Sequence, residues 1–215
     1  MTAILHYIYD PLCGWCYGAE PLVNAAAAVE GLALELHGGG LWPRPTRLPE
    51  ETRRYIQQAD ARVAGISGQP YGQAYLNDLL LDPNMVLDSK PTTAAVLAAR
   101  SLDAAKALPM LKGIQHAHYE QGHHVVQREV LCDIAEAIGL ERAAFEQAMQ
   151  NADTETHIAE TQSLMAKVGV AGFPTFVLQI GNELFGVPHQ RFASDAAGFG
   201  AWLAEQLRAR QTTTA

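Results

Sequence analysis

The chain of 215 residues carries a formal net charge of -8 and is 48% hydrophobic, enough for one large domain or for one small fold with a sizeable insertion. The negative balance argues against nucleic acid and anionic membranes as partners, since both need basic protein surface. No apolar run approaches the roughly 20 residues of a membrane span, and "MTAILHYIYDP" lacks a basic start with an apolar core and cleavage site, so a cytoplasmic location is expected.

Residues 3–10, "AILHYIYD", are rich in aromatic and β-branched side chains and too short for a typical helix, which predicts a buried strand. Residues 13–30 place Leu22, Val23, Ala26 and Val29 at helical spacing, with Pro21 expected to kink the helix by removing one hydrogen bond. Residues 32–39, "LALELHGG", alternate and end in glycine, predicting a second strand parallel to the first and a β-α-β unit.

The character then changes. Alanine, leucine and glutamine in 3.6-residue patterns predict helices over 50–64, 91–102, 104–120, 127–138, 141–151 and 153–168, punctuated by "GISGQPYG", "DPNM" and "DSKP". After Gly172, "TFVLQI-GN-ELFGV" reads as a β-hairpin whose Gly181 and Asn182 take positive φ. A last helix over 195–208 buries Phe199, Trp202, Leu203 and Leu207, and "QTTTA" reads as a frayed tail.

The chemistry sits in Cys13-Gly14-Trp15-Cys16, at the strand-to-helix turn, in a chain with three cysteines. That number is too small for a disulfide scaffold and fits a reducing compartment. Half a zinc site would need ligands from His116, His118, His123, His124 or Cys132, which form no obvious second half. Two small core cysteines would fit poorly with an intervening glycine and tryptophan. A redox dithiol explains both position and spacing. The first cysteine faces unpaired N–H groups at a helix start, which favour thiolate over thiol, and the second lies one turn on, close enough to resolve a mixed disulfide. Cys132 lies with Val130, Leu131, Ile134 and Ile138 on one helix side and reads as core.

"CGWC" after a strand, "VAGFPTFVL" late in the chain and the helical stretch between them resemble the DsbA-like branch of the thioredoxin superfamily, most of all its cytoplasmic FrnE-type and predicted disulfide-isomerase members. "VLCDIAEAIGLERAAFEQAM", residues 130–149, resembles the helix pair joined at Gly-Leu in that branch, so the resemblance spans essentially the whole chain. It implies an α/β, thioredoxin-like fold with a large all-helical insertion between the β-α-β and β-β-α halves. The expected division is 1–45 and 166–215 for the thioredoxin-like domain and 46–165 for the insertion.

The resemblance further implies that Cys13 and Cys16 are catalytic, with Gly14 and Trp15 completing the motif. Pro174 of "GFPT" matches a cis-proline that keeps a backbone N–H away from the sulfurs, while Phe173, Pro174 and Thr175 form the loop that pairs with substrate peptide. An ordinary trans proline opening an edge strand is the alternative. Glu20 matches a position where DsbA proteins carry a glutamate in proton movement, although a solvated surface glutamate reads equally well. Where the family holds a buried acid, six positions before the first cysteine, this chain has Tyr7, leaving Glu20, Tyr7 or water as proton acceptor for Cys16. Trp15 replaces the histidine of DsbA proper, which implies a weaker oxidant.

The expected activity is thiol-disulfide exchange or isomerisation on protein or peptide disulfides. No metal or resident cofactor is implied; glutathione is an expected co-substrate, and glutathione or thioredoxin an expected recycling reductant. Two other classes are weighed: a glutathione-dependent isomerase or transferase of the kappa and 2-hydroxychromene-2-carboxylate isomerase type, which typically has a serine and no CxxC, and a non-enzymatic binding module using the helical region.

Overall fold

The computed structural model describes residues 3–212, with side chains through residue 209. Strand β1 (Ala3–Tyr9) runs parallel to β2 (Leu32–Gly38) and antiparallel to β3 (Thr175–Ile180), which pairs antiparallel with β4 (Glu183–Gly186). The order β2-β1-β3-β4 makes one mixed sheet from segments far apart in sequence, as expected of two halves joined across an insertion. Gly181 takes φ 60 in the β3–β4 turn, but among the described residues only glycines have positive φ, so Asn182 does not share the role expected of it. One left-handed residue is enough to turn this hairpin.

Between β1 and β2 the expected single helix is two: α1 (Gly14–Gly18) and α2 (Glu20–Ala27), separated at Ala19. Pro21 falls in the first turn of α2, where its missing N–H costs no intrahelical bond, so the chain restarts the helix rather than kinking it.

The insertion is helical as the periodicity predicts. It contains α3 (Glu50–Ser67), α4 (Ser89–Leu102), α5 (Ala107–Tyr119), α6 (Arg128–Ala137), α7 (Arg142–Gln150) and α8 (Thr154–Val168). Acidic side chains cap three of these starts: Asp88 accepts from Lys90 N–H, Glu141 from Ala143 and Ala144 N–H, and Asp153 from Thr156 N–H. Helix α3 runs past the expected residue 64 and stops at Gly68, whose φ of 74 admits a left-handed cap. Residues 104–106 form a separate 3-10 turn ahead of α5.

Two elements had no sequence signal. A π-helical stretch, Ala74–Leu79, follows α3, its widened turn marked by the Leu80 N–H bonding the Tyr75 carbonyl at 2.8 Å. A 3-10 turn, His189–Phe192, precedes α9 (Ala196–Thr212). Phe199, Leu203 and Leu207 of α9 are buried, each contributing roughly 1.5–3 kcal/mol by leaving water. Trp202 is only half-buried, against Phe192. The helix continues through the first two residues of the expected tail, and residues 213–215 lie outside the described part.

Leu5, Tyr7 and Tyr9 of β1 point to the sheet face that holds Phe176 and Leu178 of β3 and Phe199 of α9. Strand alternation sends His6 and Ile8 to the opposite face. There α8 lies along β2, and the Gly38 N–H donates to His157 Nε2 at 3.0 Å.

Candidate functional site

Strand β1 delivers the chain into a tight turn in which the Cys13 N–H donates to the Asp10 carbonyl at 3.2 Å. Cys13 is the N-cap of α1, in extended conformation, and its carbonyl accepts from Cys16 and Tyr17 N–H at 2.9 and 3.1 Å. Its side chain therefore stays at the rim while Cys16 turns inward: relative exposure is 8% for Cys13 and 0% for Cys16. Both are free thiols in direct mutual interaction. Cys13 Sγ also lies 3.8 Å from the Phe173 carbonyl oxygen. The Phe173–Pro174 bond is cis, and proline presents no N–H to the sulfur. Phe173 seats its ring over Gly39, where any Cβ would come within 2.0 Å of it. Thr175 opens β3 and donates its hydroxyl to the Gly172 carbonyl.

Burial, followed by the hydrogen bond and charge of Cys13, pushes the Cys16 thiol well up; the Asp10 N–H, donating to Cys16 Sγ at 3.4 Å, works the other way. The Asp10 carboxyl is the buried acid that inspection of position 7 missed. It is fully enclosed, accepts from Leu12 N–H at 2.9 Å and Leu41 N–H at 2.7 Å, and acts electrostatically on Cys16. Its own titration is raised by burial against the opposing pull of Ser89 and those two N–H groups.

Tyr7 donates its hydroxyl to the Cys16 carbonyl at 3.1 Å and stacks on Phe176 with ring centroids 4.7 Å apart. Burial, then the charges of Cys16 and Cys13, raises its phenol well above the ordinary range. Glu20 is not a solvated surface group. It is buried, 2.8 Å from His116 Nε2 and 3.3 Å from Lys112 Nζ, both on α5. Burial raises its carboxyl, but hydrogen bonding and charge from His116, then Lys112, outweigh that and hold it low.

The insertion closes over this turn with tyrosines and two acids, Asp60 and Glu120. Tyr71 donates to the Gly14 carbonyl at 2.9 Å, and the Tyr17 hydroxyl lies 2.6 Å from Glu120 Oε1 and 2.7 Å from the Pro70 carbonyl. Tyr17 stacks on Tyr119 at 4.9 Å, and Tyr75 donates to Asp60 Oδ2 at 2.7 Å. Burial raises Asp60 to about 6 despite that bond. Gly14 has to be glycine for this fit, because a Cβ there would stand 2.1 Å from Asp60 Oδ1.

Two cavities flank the half-exposed Trp15. One, of about 260 Å³, is lined by Cys13, Trp15, Trp42, Asp60, Tyr75 and His118 among others. His118 is buried, which lowers its imidazole to about 4, and its Nδ1 has no hydrogen-bond partner among the described residues. The other, of about 280 Å³ and largely apolar, is lined by Leu22, Val63, Ile66, Pro174 and His189 around Trp15. The zinc alternative gains no support from the residues it needed. His116 engages Glu20 and Glu120, His118 packs against Tyr75 and Tyr119, and Cys132 faces Glu146 at 3.6 Å.

A four-stranded thioredoxin-like sheet with paired thiols at the end of its first strand, beside a cis-proline, defines the class of dithiol oxidoreductases. The chain belongs to the family of the DSBA-like thioredoxin domain, whose profile matches residues 4–198, and is a thiol-disulfide oxidoreductase. It is similar to the cytosolic disulfide reductase DsbM from Pseudomonas aeruginosa, with 42% identity and a TM-score of 0.88 over 95% of this chain and 98% of that one. The same protein solved with GSH gives 41% identity and a TM-score of 0.86 over 95% and 99%. A putative protein disulfide isomerase from Nitrosomonas europaea, 24% identical with a TM-score of 0.76 over 87% and 89%, shares the fold. No curated protein matches the sequence.

Proposed function

We propose that the protein is a cytoplasmic, glutathione-recycled disulfide reductase and isomerase for protein or peptide disulfides. The carrying observation is the arrangement of two thiols within one helical turn, Cys13 at the rim of a cavity and Cys16 enclosed behind it. The Cys13 thiolate attacks a substrate disulfide, forming one S–S bond while the substrate S–S bond breaks and the leaving thiolate takes a proton. Cys16 gives up its proton and attacks Cys13 Sγ, releasing the second substrate thiol and leaving a Cys13–Cys16 disulfide. Two molecules of glutathione reduce that disulfide in two exchanges and leave as oxidised glutathione, so two electrons pass from glutathione to substrate with no resident cofactor. When the first mixed disulfide is instead attacked by another substrate thiol, the same chemistry isomerises.

The raised Cys16 thiol supports the order of events, since a buried protonated resolving thiol leaves Cys13 free to make the first attack. Asp10, 0% exposed, acting on Cys16 and with its carboxyl raised by burial, is the proton acceptor this reading favours over Glu20, whose carboxyl His116 and Lys112 hold low. Phe173 and Thr175 flank Pro174 beside Cys13, where this reading places an extended peptide, and the cavity holding Asp60 and His118 has the polar groups and volume for a small thiol. Similarity at 41% identity to DsbM, a cytosolic disulfide reductase solved with GSH, is the further support for glutathione and for a cytosolic setting.

The test is turnover of a peptide disulfide with glutathione as sole reductant, together with mass analysis of Cys16→Ser exposed to oxidised glutathione. Turnover is expected, with one glutathionyl group on Cys13, and alkylation of the reduced wild type should label Cys13 before Cys16. An adduct on Cys132, or turnover with thioredoxin but none with glutathione, would sink the recycling route.

A further inference from the structure

We propose that His6, Glu35 and His37, on the sheet face opposite the thiols, form a binding site for a divalent transition-metal ion of the Zn²⁺ type. The three residues lie on the paired strands β1 and β2, where His6 sits directly opposite Glu35 and Ile8 opposite His37. Period-two alternation therefore turns all three side chains to one face. Their donor atoms converge: His6 Nδ1 is 2.9 Å from His37 Nε2 and 3.5 Å from Glu35 Oε2, and His37 Nε2 is 3.7 Å from the same oxygen. Ligand atoms about 2.0–2.1 Å from a tetrahedral ion stand roughly 3.3 Å from one another, so small side-chain shifts would admit one. Two imidazoles and a carboxylate are a borderline donor set that suits zinc, and three protein ligands leave one position for water.

The surroundings fix the tautomer needed. Gln179 Nε2 donates to the Gly181 carbonyl at 2.9 Å, which orients its amide so that Oε1 faces His6 Nε2 at 2.8 Å. His6 then carries its proton on Nε2, and the lone pair on Nδ1 points into the cluster. An amide oxygen holding the far N–H of a ligand histidine is the outer-shell arrangement that metal sites use. Without metal, His37 Nε2–H donates to His6 Nδ1; with metal, that proton moves to His37 Nδ1, the other neutral tautomer, with no net change of charge.

Access follows from burial. His6 is enclosed at 8% side-chain exposure, His37 stands at 20%, and Glu35 at 51% forms an open edge from which an ion can enter. Arg100 acts electrostatically on His37 and on the neighbouring His157 and opposes a cation, while the Glu35 carboxylate favours one. The proposal is independent of the thiol chemistry, because alternation puts these residues on the side of β1 away from Tyr7 and Cys16.

The experiment is equilibrium uptake of Zn²⁺ by untagged protein oxidised at Cys13–Cys16, which removes the competing thiolates, with melting temperature followed in parallel. One equivalent is expected, with a zinc-dependent rise in melting temperature. His37→Ala should abolish both, Glu35→Gln should weaken uptake by about tenfold or more, and His123→Ala, which alters an exposed histidine elsewhere, should change neither. Should His37→Ala fail to fold, the exposed Glu35→Gln decides. No uptake by the wild type, or uptake unchanged by both Glu35→Gln and a folded His37→Ala, would overturn the site and leave a histidine pair joined by a simple hydrogen bond.

Discussion

The turn that carries the thiols and the helical wall that covers it are built on different principles. In the turn, a strand end and five helical residues place the sulfurs through backbone bonds: the Asp10 N–H donates to Cys16 Sγ, and the Cys13 carbonyl accepts from the first N–H groups of α1, while the distant Phe173 carbonyl comes up to Cys13 from the start of β3. The wall, from α3 through the π-helical stretch to α5, supplies side chains instead: Asp60, Tyr71, Tyr75, His118 and Tyr119. Local geometry therefore brings the two thiols together, and long-range packing decides which acids and phenols surround them. Substitutions in one region and the other should consequently fail in different ways.

The largest expected effect is in the turn. Cys13→Ser should lower peptide-disulfide reduction to background, on the order of a thousandfold or more, with the melting temperature nearly unchanged. Stopped-assay kinetics beside a thermal melt check this, and residual turnover within tenfold of wild type would mean that the motif is not the reacting centre.

In the wall, the effect should fall on pH-dependent stability. Asp60 titrates near about 6 in the fold against an ordinary 3.8. A raised carboxyl value means that the folded state holds its proton longer than the unfolded chain does. Stability should accordingly decline as pH rises from about 4 to about 6 and stay level above, a loss of about 3 kcal/mol at most. Asp60→Asn should remove that decline, seen as a flatter urea-unfolding free energy between pH 4 and 7. Equal slopes in the two proteins would show that water reaches the carboxyl.

Gly14→Ala tests the seam between the regions, because the added Cβ collides with Asp60 Oδ1. A loss of about 1–3 kcal/mol is expected, partly restored when Asp60→Ala is added, so a double-mutant cycle reads out the contact directly. Additive effects would mean that the wall moves away freely. Smallest of all, Cys132→Ala should leave exchange kinetics unchanged, since this thiol is buried between α6 and α7 beside Glu146; slowed exchange in a folded variant would reveal a second redox thiol.

The turn was legible in the sequence because its determinants are local. A β-rich run, a CxxC and a following amphipathic pattern are contiguous, and each needs only neighbours in the chain to act. Pro21 was expected to kink a helix by removing a bond, yet it stands in the first turn of a new one, because the chain restarts after Ala19. The π-helical stretch carried no sequence signal, and its Tyr75 takes a partner, Asp60, from the separate helix α3.

By itself, then, the sequence determined the strands, most of the helices and the position of the thiol pair, through periodicity, short acidic caps and the spacing of two cysteines. Tertiary structure alone decided what those thiols meet. Asp10 stands three positions before Cys13 in an unremarkable "YDP", and only the fold reveals that its carboxyl is enclosed by N–H groups from Leu12 and Leu41. Glu20 reads equally as a proton-relay group or a surface residue until α5 brings His116 and Lys112 against it. His6, Glu35 and His37 look like ordinary strand residues until parallel pairing sets them on one face. In each case burial and partner come from residues distant in the chain, and a side chain's charge state follows from them rather than from its own identity.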